Sequence, residues 1–403
     1  MIGRALCALT LWACSGTTPP VAPPPKAPVE PPVARAAGVL LESLESWRAR
    51  RPKVPAIKYL KGALHVHTKH SGDSTTWPKQ VIRYYDRAGF DFVVITDHNR
   101  VTELVPSELA GTDILVFPGI ELTNNPPRCT PAPVEEKGRC RIHVNGLFLR
   151  DFSSHSPDER PIRHHWRERK SIARVDLYTA AIRFARERDG LIMINHPTWF
   201  WGTDGALLTE LGRRGIGLVE IANVAFAPWN AGAAPHPGTE AIWDAALSAG
   251  VKMWGVASDD AHHYRQSEID KRELEGKAIY PAFGGFVMVR ARPTMRAIRA
   301  AVERGDFYSS TGVLLERADV EGTELVVEVA PSERRGHTIE VIGDGGKVIE
   351  RLAGRSLRFA LSRVKTYARV RVTAADGARA WTQPVFIEPP VFPSPPPGQS
   401  QTR

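Results

Sequence analysis

The chain has 403 residues, 42% of them hydrophobic and 24% charged, with a formal net charge of +9. That balance describes an ordinary globular protein of two or three domains, and no stretch reaches the roughly 18 consecutive apolar residues of a membrane-spanning helix. The positive charge is spread out, without a Lys/Arg block or interleaved aromatics. It favours weak attraction for anionic substrates or surfaces, and nucleic acid is not an expected partner.

The first segment reads as an export signal. Met1-Ile2-Gly3-Arg4 is positively charged, Ala5 to Ala13 is apolar, and Leu11-Trp12-Ala13-Cys14 ends the run before Ser15-Gly16. This looks like a bacterial lipoprotein signal over residues 1–13, with Cys14 as the lipidated first mature residue and a lipid-anchored place in the cell envelope. A plain secretory signal and a cytosolic form are the alternatives. Residues 14–37 are Pro-rich and read as an extended tether. Cys7 and Cys14 fall to the signal and the lipid, which leaves Cys129 and Cys140. Outside the cytosol these are expected to pair; two unrelated buried thiols are the alternative.

A unit over 38–314 alternates helices and strands. Val39 to Arg50 reads as a helix with Leu40, Leu44 and Trp47 on one face. Ala63 to Thr68 is the first strand, and Pro78 opens a helix through Ala88. Phe92 to Ile95 is a continuous apolar run, as in a parallel strand buried on both faces. Strands follow at Leu115 to Phe117, Val144 to Leu149, Leu191 to Ile194, Leu218 to Ile221, Val251 to Ala257 and Gly285 to Val289. Helices are expected at Val175 to Arg188, Thr239 to Ala249 and Thr294 to Arg304. The alternation suggests an α/β barrel of seven main strands, with its site at the strands' carboxyl ends. From Leu315 the pattern turns to period two, with Asp344-Gly345-Gly346 and Asp376-Gly377 as turns, so 315–388 reads as a small all-β, sandwich-like module. Residues 389–403 read as a disordered tail.

The strand ends carry the chemistry. In Leu64-His65-Val66-His67-Thr68 the two histidines alternate with apolar residues and share one face, and Asp73 follows six residues after His67. Ile95-Thr96-Asp97-His98, Pro118-Gly119-Ile120-Glu121, Arg141-Ile142-His143, Ile194-Asn195-His196-Pro197 and Ser258-Asp259-Asp260-Ala261-His262 supply further ligand types. Leu218 to Ala222 ends without one; Asn223 follows it as a possible hydrogen-bonding residue for substrate. Six His, two Asp and one Glu suit zinc, manganese or iron and are too nitrogen-rich for calcium or magnesium alone. Clustered divalent cations acidify water into a hydroxide nucleophile and clamp the anionic transition state of ester cleavage. Asp97 reads as a partner that orients an imidazole, and Asp259 either does the same or caps a turn. Arg100, Trp199 and His263 are candidates for contact with substrate, with Trp199-Phe200-Trp201 either walling a ring-bearing substrate or packing the barrel. The segment from Thr123 to Arg141 is either a lid or a surface excursion.

In these motifs, taken in order over roughly Gly62 to Thr311, the chain resembles the PHP (polymerase and histidinol phosphatase) family, and within it the exported carbaryl-hydrolase branch. The resemblance implies a distorted seven-stranded barrel, two or three divalent transition metal ions, and a hydrolase acting on a small, anionic ester. By that analogy His65, His67, Glu121 and Asp260 hold one ion, Glu121 bridges to a second held by His143 and His196, and Asp73, His98 and His262 hold a third. Glu121, His196 and Asp260 are then the catalytic core. Phosphoester cleavage is the first reaction class; carbamate, amide or carboxylic ester cleavage on the same site is the alternative. A metal-bearing surface protein that binds without turnover is a third reading.

Overall fold

The computed structural model describes residues 58–102, 104, 106–132, 140–150 and 172–387. The export signal with Cys14, the tether, the helix expected over 39–50 and the tail 389–403 lie outside the described residues. No helix among the described residues is long and apolar enough to cross a membrane.

The fold is mixed α/β around one large sheet. Seven strands come first: β1 (Lys58–Val66), β2 (Phe92–Ile95), β3 (Leu115–Asn124), β4 (Ile142–Leu147), β5 (Leu191–Ile194), β6 (Leu218–Asn223) and β7 (Trp254–Ser258). They lie side by side in the order β7-β6-β5-β4-β3-β2-β1. All neighbours are parallel except β4, which runs against both β3 and β5. Their apolar runs explain the burial: β2 and β7 are buried at every position, as strands covered on both faces must be. Beyond β1 the sheet continues antiparallel through β8 (Phe286–Ala291) and β9 (Phe307–Ser310). At the opposite end of the path, Ala261, just past β7, returns to β1. It forms a parallel bridge with Val66, and His67 N donates to Ala261 O at 2.9 Å.

Helices cover this sheet where the sequence carries an apolar stripe. In α1 (Pro78–Arg87), Pro78 occupies the first turn, Val81, Ile82 and Tyr85 are buried, and Gly89 (φ +74°) ends the element. Among the later helices, α2 (Arg174–Glu187) precedes β5, α3 (Gly205–Arg213) precedes β6 and α4 (Thr239–Ser248) precedes β7. Asp204 caps α3 by accepting from Leu207 N at 2.8 Å. After β7 come α5 (Gln266–Leu274) and α6 (Met295–Arg304), the latter capped by Thr294 and ended by Gly305 at φ +81°. α3 buries Leu208 and Leu211 on one face, a stripe the sequence reading passed over; α5 buries only Ile269 of its nine residues, so it has no stripe to read.

The C-terminal strands divide between two sheets. β10 (Leu315–Glu321), β11 (Glu324–Val329) and β14 (Ser356–Ala360) form a three-stranded antiparallel sheet. β12 (His337–Gly343), β13 (Lys347–Ala353), β15 (Tyr367–Ala374) and β16 (Arg379–Thr382) extend the large sheet through the β9–β16 pairing, and β17 (Val385–Phe386) adds to β15. The expected module over 315–388 is therefore joined to the first unit by backbone hydrogen bonds, and one apolar core runs from Val81, Ile82 and Tyr85 to Val327, Phe359 and Val370.

A buried ion-pair network adds to that junction. The Arg369 guanidinium, 1% exposed, donates from Nε and Nη2 to the two Asp244 oxygens at 2.8 and 2.7 Å, and its Nη1 lies 3.0 Å from Glu240. Tyr367 OH donates to the same Asp244 at 2.8 Å. Both acids stand on α4, immediately before β7, so the network sets the helix that leads into the site. Replacing Arg369 by Ala leaves the buried Asp244 without its guanidinium, takes one guanidinium from the partly buried Glu240, which keeps Arg371 close by, and should cost about 3–5 kcal/mol. Denaturant unfolding reads this as a lowered midpoint; a loss below about 1 kcal/mol, the range of an exposed pair, would contradict the buried-network account.

Candidate metal centre

Strand alternation puts the first two ligands in place. Leu64 and Val66 are fully packed, and the intervening His65 and His67 point to the other side of β1, both at 0% exposure. A short 3₁₀ turn (Lys69–Ser71) ended by Gly72 at φ +93° brings Asp73 back over them. His98 follows β2, Glu121 sits in β3, His196 follows β5, and Asp260 and His262 follow β7. His143 belongs to β4, which runs the other way. It stands near the start of that strand, opposite Thr123, so the reversed direction brings a strand's amino end to the same mouth as its neighbours' carboxyl ends. His196 (φ +25°) and Asp260 (φ +49°) take left-handed backbone conformations that turn the chain sharply at the site.

All nine expected ligands converge. They form three overlapping groups, each with ligand atoms within 4.8 Å of one another: His65, His67, Glu121 and Asp260; Glu121, His143 and His196; and His67, Asp73, His98 and His262. Asp260 Oδ1 lies 3.2 Å from His65 Nε2 and 3.0 Å from His67 Nε2, and Glu121 Oε2 lies 3.6 and 3.3 Å from the same nitrogens. Those four atoms are buried and have no hydrogen-bond partner among the described residues. Glu121 Oε1 is 2.9 Å from His143 Nδ1 and 3.8 Å from His196 Nε2. Asp73 Oδ2 is 3.0 Å from His98 Nε2 and 3.2 Å from His262 Nε2.

A ring of hydrogen bonds holds the ligands from behind. His65 Nδ1 meets Glu220 Oε1 at 2.6 Å, which turns Nε2 towards Glu121 and Asp260. The other Glu220 oxygen accepts from His196 N at 2.6 Å and Asn223 Nδ2 at 3.0 Å, and Ser258 also donates to Glu220. His67 Nδ1 meets Ser71 Oγ at 2.8 Å, His98 Nδ1 meets Thr123 Oγ1 at 2.6 Å, and His262 Nδ1 donates to Asp260 O at 2.7 Å. Asn195 Nδ2 donates to Glu121 Oε1 at 2.9 Å. Glu220 escapes motif reading because it lies inside the apolar run Leu218-Val219-Glu220-Ile221-Ala222; a carboxylate in the middle of a strand buried throughout was the available signal.

Asp97 orients no imidazole. Its carboxylate accepts from Thr68 N at 2.6 Å and from the hydroxyls of Thr68 and Thr102, so it pins the loop after β1 instead. Asp259 accepts from Phe283 N and from Tyr85 OH, the latter at 3.1 Å, and fastens the loop before β8. A Cβ at Gly285 would stand 2.1 Å from Ser258 O, so glycine lets that loop pass against the end of β7.

Burial and neighbouring charge pull the groups of the site in different directions: burial opposes protonation of His65 and His262, and the nearby carboxylates outweigh it and raise both. Burial lowers the His67 pKa to about 3, with His262 and His98 adding to the shift, and burial lowers His143 to about 4. Both imidazoles keep free lone pairs at neutral pH. Burial also opposes protonation of His98, but Glu121 and Asp73 outweigh it and raise that ring to about 10. Burial pushes the Glu121, Asp260 and Asp73 carboxyls up, and the surrounding histidines reverse this and hold them below the usual carboxylate range.

The centre opens on a cavity of about 160 Å³. Trp199 and His263 line it together with three residues that motif reading passed over, Phe226, Arg272 and Tyr280. Arg100 and Asn223 are not in its wall: Arg100 is exposed, and Asn223 is buried against Glu220 and caps Ala225 N at 3.1 Å. The Trp199 ring lies 5.5 Å from His143 and 5.0 Å from His196, with the Arg141 guanidinium 4.8 Å over it. A disulfide joins Cys129 and Cys140 across the excursion after β3; residues 133–139 of that excursion lie outside the described residues.

Comparison of the chain with known protein families finds no match, and comparison with curated proteins finds none. The chemistry of the site rests on its own side chains. Four buried ligand atoms around one point without a hydrogen-bond partner, with His98 Nδ1 2.7 Å from one of them and further His and carboxylate groups alongside, fit divalent metal ions: the clusters can hold them.

Glu220→Gln removes the anionic acceptor behind His65 while keeping its shape. Metal affinity, measured by chelator competition, is expected to fall about 10–100-fold with the circular dichroism spectrum retained. An unchanged affinity would remove Glu220 from the support of the centre.

Proposed function

We propose that this chain is a metal-dependent hydrolase of the PHP type and that phosphoester cleavage is its reaction. The observation that carries this reading is the quartet of His65 Nε2, His67 Nε2, Glu121 Oε2 and Asp260 Oδ1, buried without hydrogen-bond partners beside two further ligand groups. Sharing of Glu121 between two groups and of His67 between two supports a cluster of two or three ions of zinc, manganese or iron. In the same reading β1 to β7 form the distorted seven-stranded barrel, with the Val66–Ala261 bridge drawing the last strand back to the first.

Bound divalent ions would supply an acidified water as nucleophile and positive charge for the anionic transition state. The chain's own residues hold and orient. Glu220 sets the His65 ring, Thr123 and Ser71 set His98 and His67, and Asn195 steadies the shared Glu121. Asp260 commits Oδ1 to the first two histidines and turns Oδ2 to within 3.9 Å of His196 Nε2, so it links the first ligand group to the second. Asp73, with its side chain 49% exposed, stands at the mouth. Trp199, Phe226 and Tyr280 give the cavity an aromatic wall, which favours a substrate with a planar group and keeps aryl carbamates and esters as the second reading. We further propose that Cys14 carries a lipid anchor in the cell envelope, on the strength of Leu11-Trp12-Ala13-Cys14.

Purified protein loaded in turn with Zn²⁺, Mn²⁺ and Fe²⁺ is to be assayed on 4-nitrophenyl phosphate, a phenyl ester and an aryl carbamate. Phosphate ester cleavage is expected, with His65→Ala reducing kcat by at least about a thousandfold and lowering metal content in a folded protein. Cleavage of the carbamate or ester alone would favour the second reading. No turnover with any ion, or full turnover in His65→Ala, would overturn the hydrolase reading.

A further inference from the structure

The cavity has two kinds of wall. Six of its lining residues, Asp73, His98, His143, His196, Asp260 and His262, belong to the metal centre. Facing the same space, His263 and Arg272 belong to no ligand group.

Arg272 stands on α5 among acids, yet it makes no ion pair among the described residues. Its neighbours are otherwise engaged: Gln266 donates to Asp270 at 2.7 Å, Thr75 donates to Glu268 at 2.8 Å, and Lys277 meets Glu275 at 2.8 Å. The guanidinium is steadied by one bond, from Nε to Ala278 O at 2.9 Å, which leaves both terminal nitrogens without a protein acceptor among the described residues. His263 is 2% exposed, and its ring is fixed because Nδ1 accepts from Tyr280 N at 2.9 Å. A neutral ring held that way carries its proton on Nε2. That Nε2 is buried and has no partner among the described residues, a cost a protein carries when a ligand is to supply the acceptor.

We propose that Arg272 and His263 form an anion subsite that binds a non-bridging oxygen of a phosphate monoester beside the metal centre. Both side chains offer donors and no acceptor, and a guanidinium matches paired phosphate oxygens in geometry as well as charge. A phosphate monoester presents several anionic oxygens, enough to meet the metal centre and this wall together. The carbonyl of a neutral ester or carbamate presents one. The subsite therefore deepens the hydrolase reading, on which it rests, by selecting phosphate monoesters over neutral esters.

The test uses the metal-loaded full chain and inorganic phosphate as probe, followed by calorimetry, with wild type, Arg272→Ala, Arg272→Lys and His263→Ala compared at equal metal content. Arg272→Ala is expected to weaken phosphate binding about 10–100-fold, Arg272→Lys to restore part of the loss, and His263→Ala to weaken it about tenfold. The ratio of kcat/KM for phenyl phosphate to that for phenyl acetate is expected to fall by a similar factor in Arg272→Ala. Phosphate affinity within twofold of wild type in Arg272→Ala, equal losses on both substrates, or no phosphate binding by the wild type would overturn the subsite. Phosphate binding that depends on Arg272 without cleavage of either ester would leave the subsite standing and sink the hydrolase reading alone.

Discussion

Burying two carboxylates and five imidazoles around one point, with Asp73 and His98 at its edge, carries a desolvation cost that the protein's own hydrogen bonds do not offset. The protein places most of its hydrogen bonds on the outer atoms of the ligands and leaves four inner ones without a hydrogen-bond partner. Glu220, Ser71, Thr123 and the Asp260 carbonyl each take the far side of a histidine, and the near sides of His65, His67, Glu121 and Asp260 face one another without partners. Such an arrangement is unstable as a hydrogen-bonded core and sensible as a cage for cations. The packing, the turns and the junction with the C-terminal strands all serve to keep it in shape.

That junction has a direct line to the site. Gln383, between β16 and β17, brackets Gly255 of β7, accepting from its N and donating to its O, both at 2.8 Å, and Ser309 of β9 donates to the same carbonyl at 2.7 Å. Arg369 fixes α4, the helix before β7. The strand that delivers Asp260 and His262 is thus gripped from the far side by the end of the chain. The C-terminal segment that carries Gln383 hydrogen-bonds directly to the strand that leads to the mouth.

The convergence of these residues was legible in part, because most of them interrupt or end an apolar run, and buried strands give little room for polar residues without a task; Asp73, in the polar turn Ser71-Gly72-Asp73-Ser74, carried no such signal and came from the family resemblance. Alternation alone showed that His65 and His67 share one face; the later strand ends gave that face a task. Among the helices with apolar stripes, α1, α2, α4 and α6 were readable from periodicity. Direction was not: nothing in Ile142 to Leu147 says that β4 runs against its neighbours, since an apolar strand is equally buried either way. Glu220 was hidden inside an apolar strand, and Arg272 and Tyr280 lie in a polar stretch whose approach to the cavity depends on how the loop after β7 folds. Asp97 was misjudged because adjacency to His98 in sequence does not put its carboxylate against an imidazole; it turns to Thr68 and Thr102. The pairing of β9 with β16, which merges the two expected units into one sheet, links positions about seventy residues apart and left no local trace.

The most direct measurement is anomalous diffraction from crystals of the metal-loaded protein, collected at the absorption edges of zinc, manganese and iron. The account predicts peaks inside the ring of nine side chains, with one of them between His65, His67, Glu121 and Asp260. No peak within that quartet, in a crystal whose solution contained the ion in excess, would contradict it.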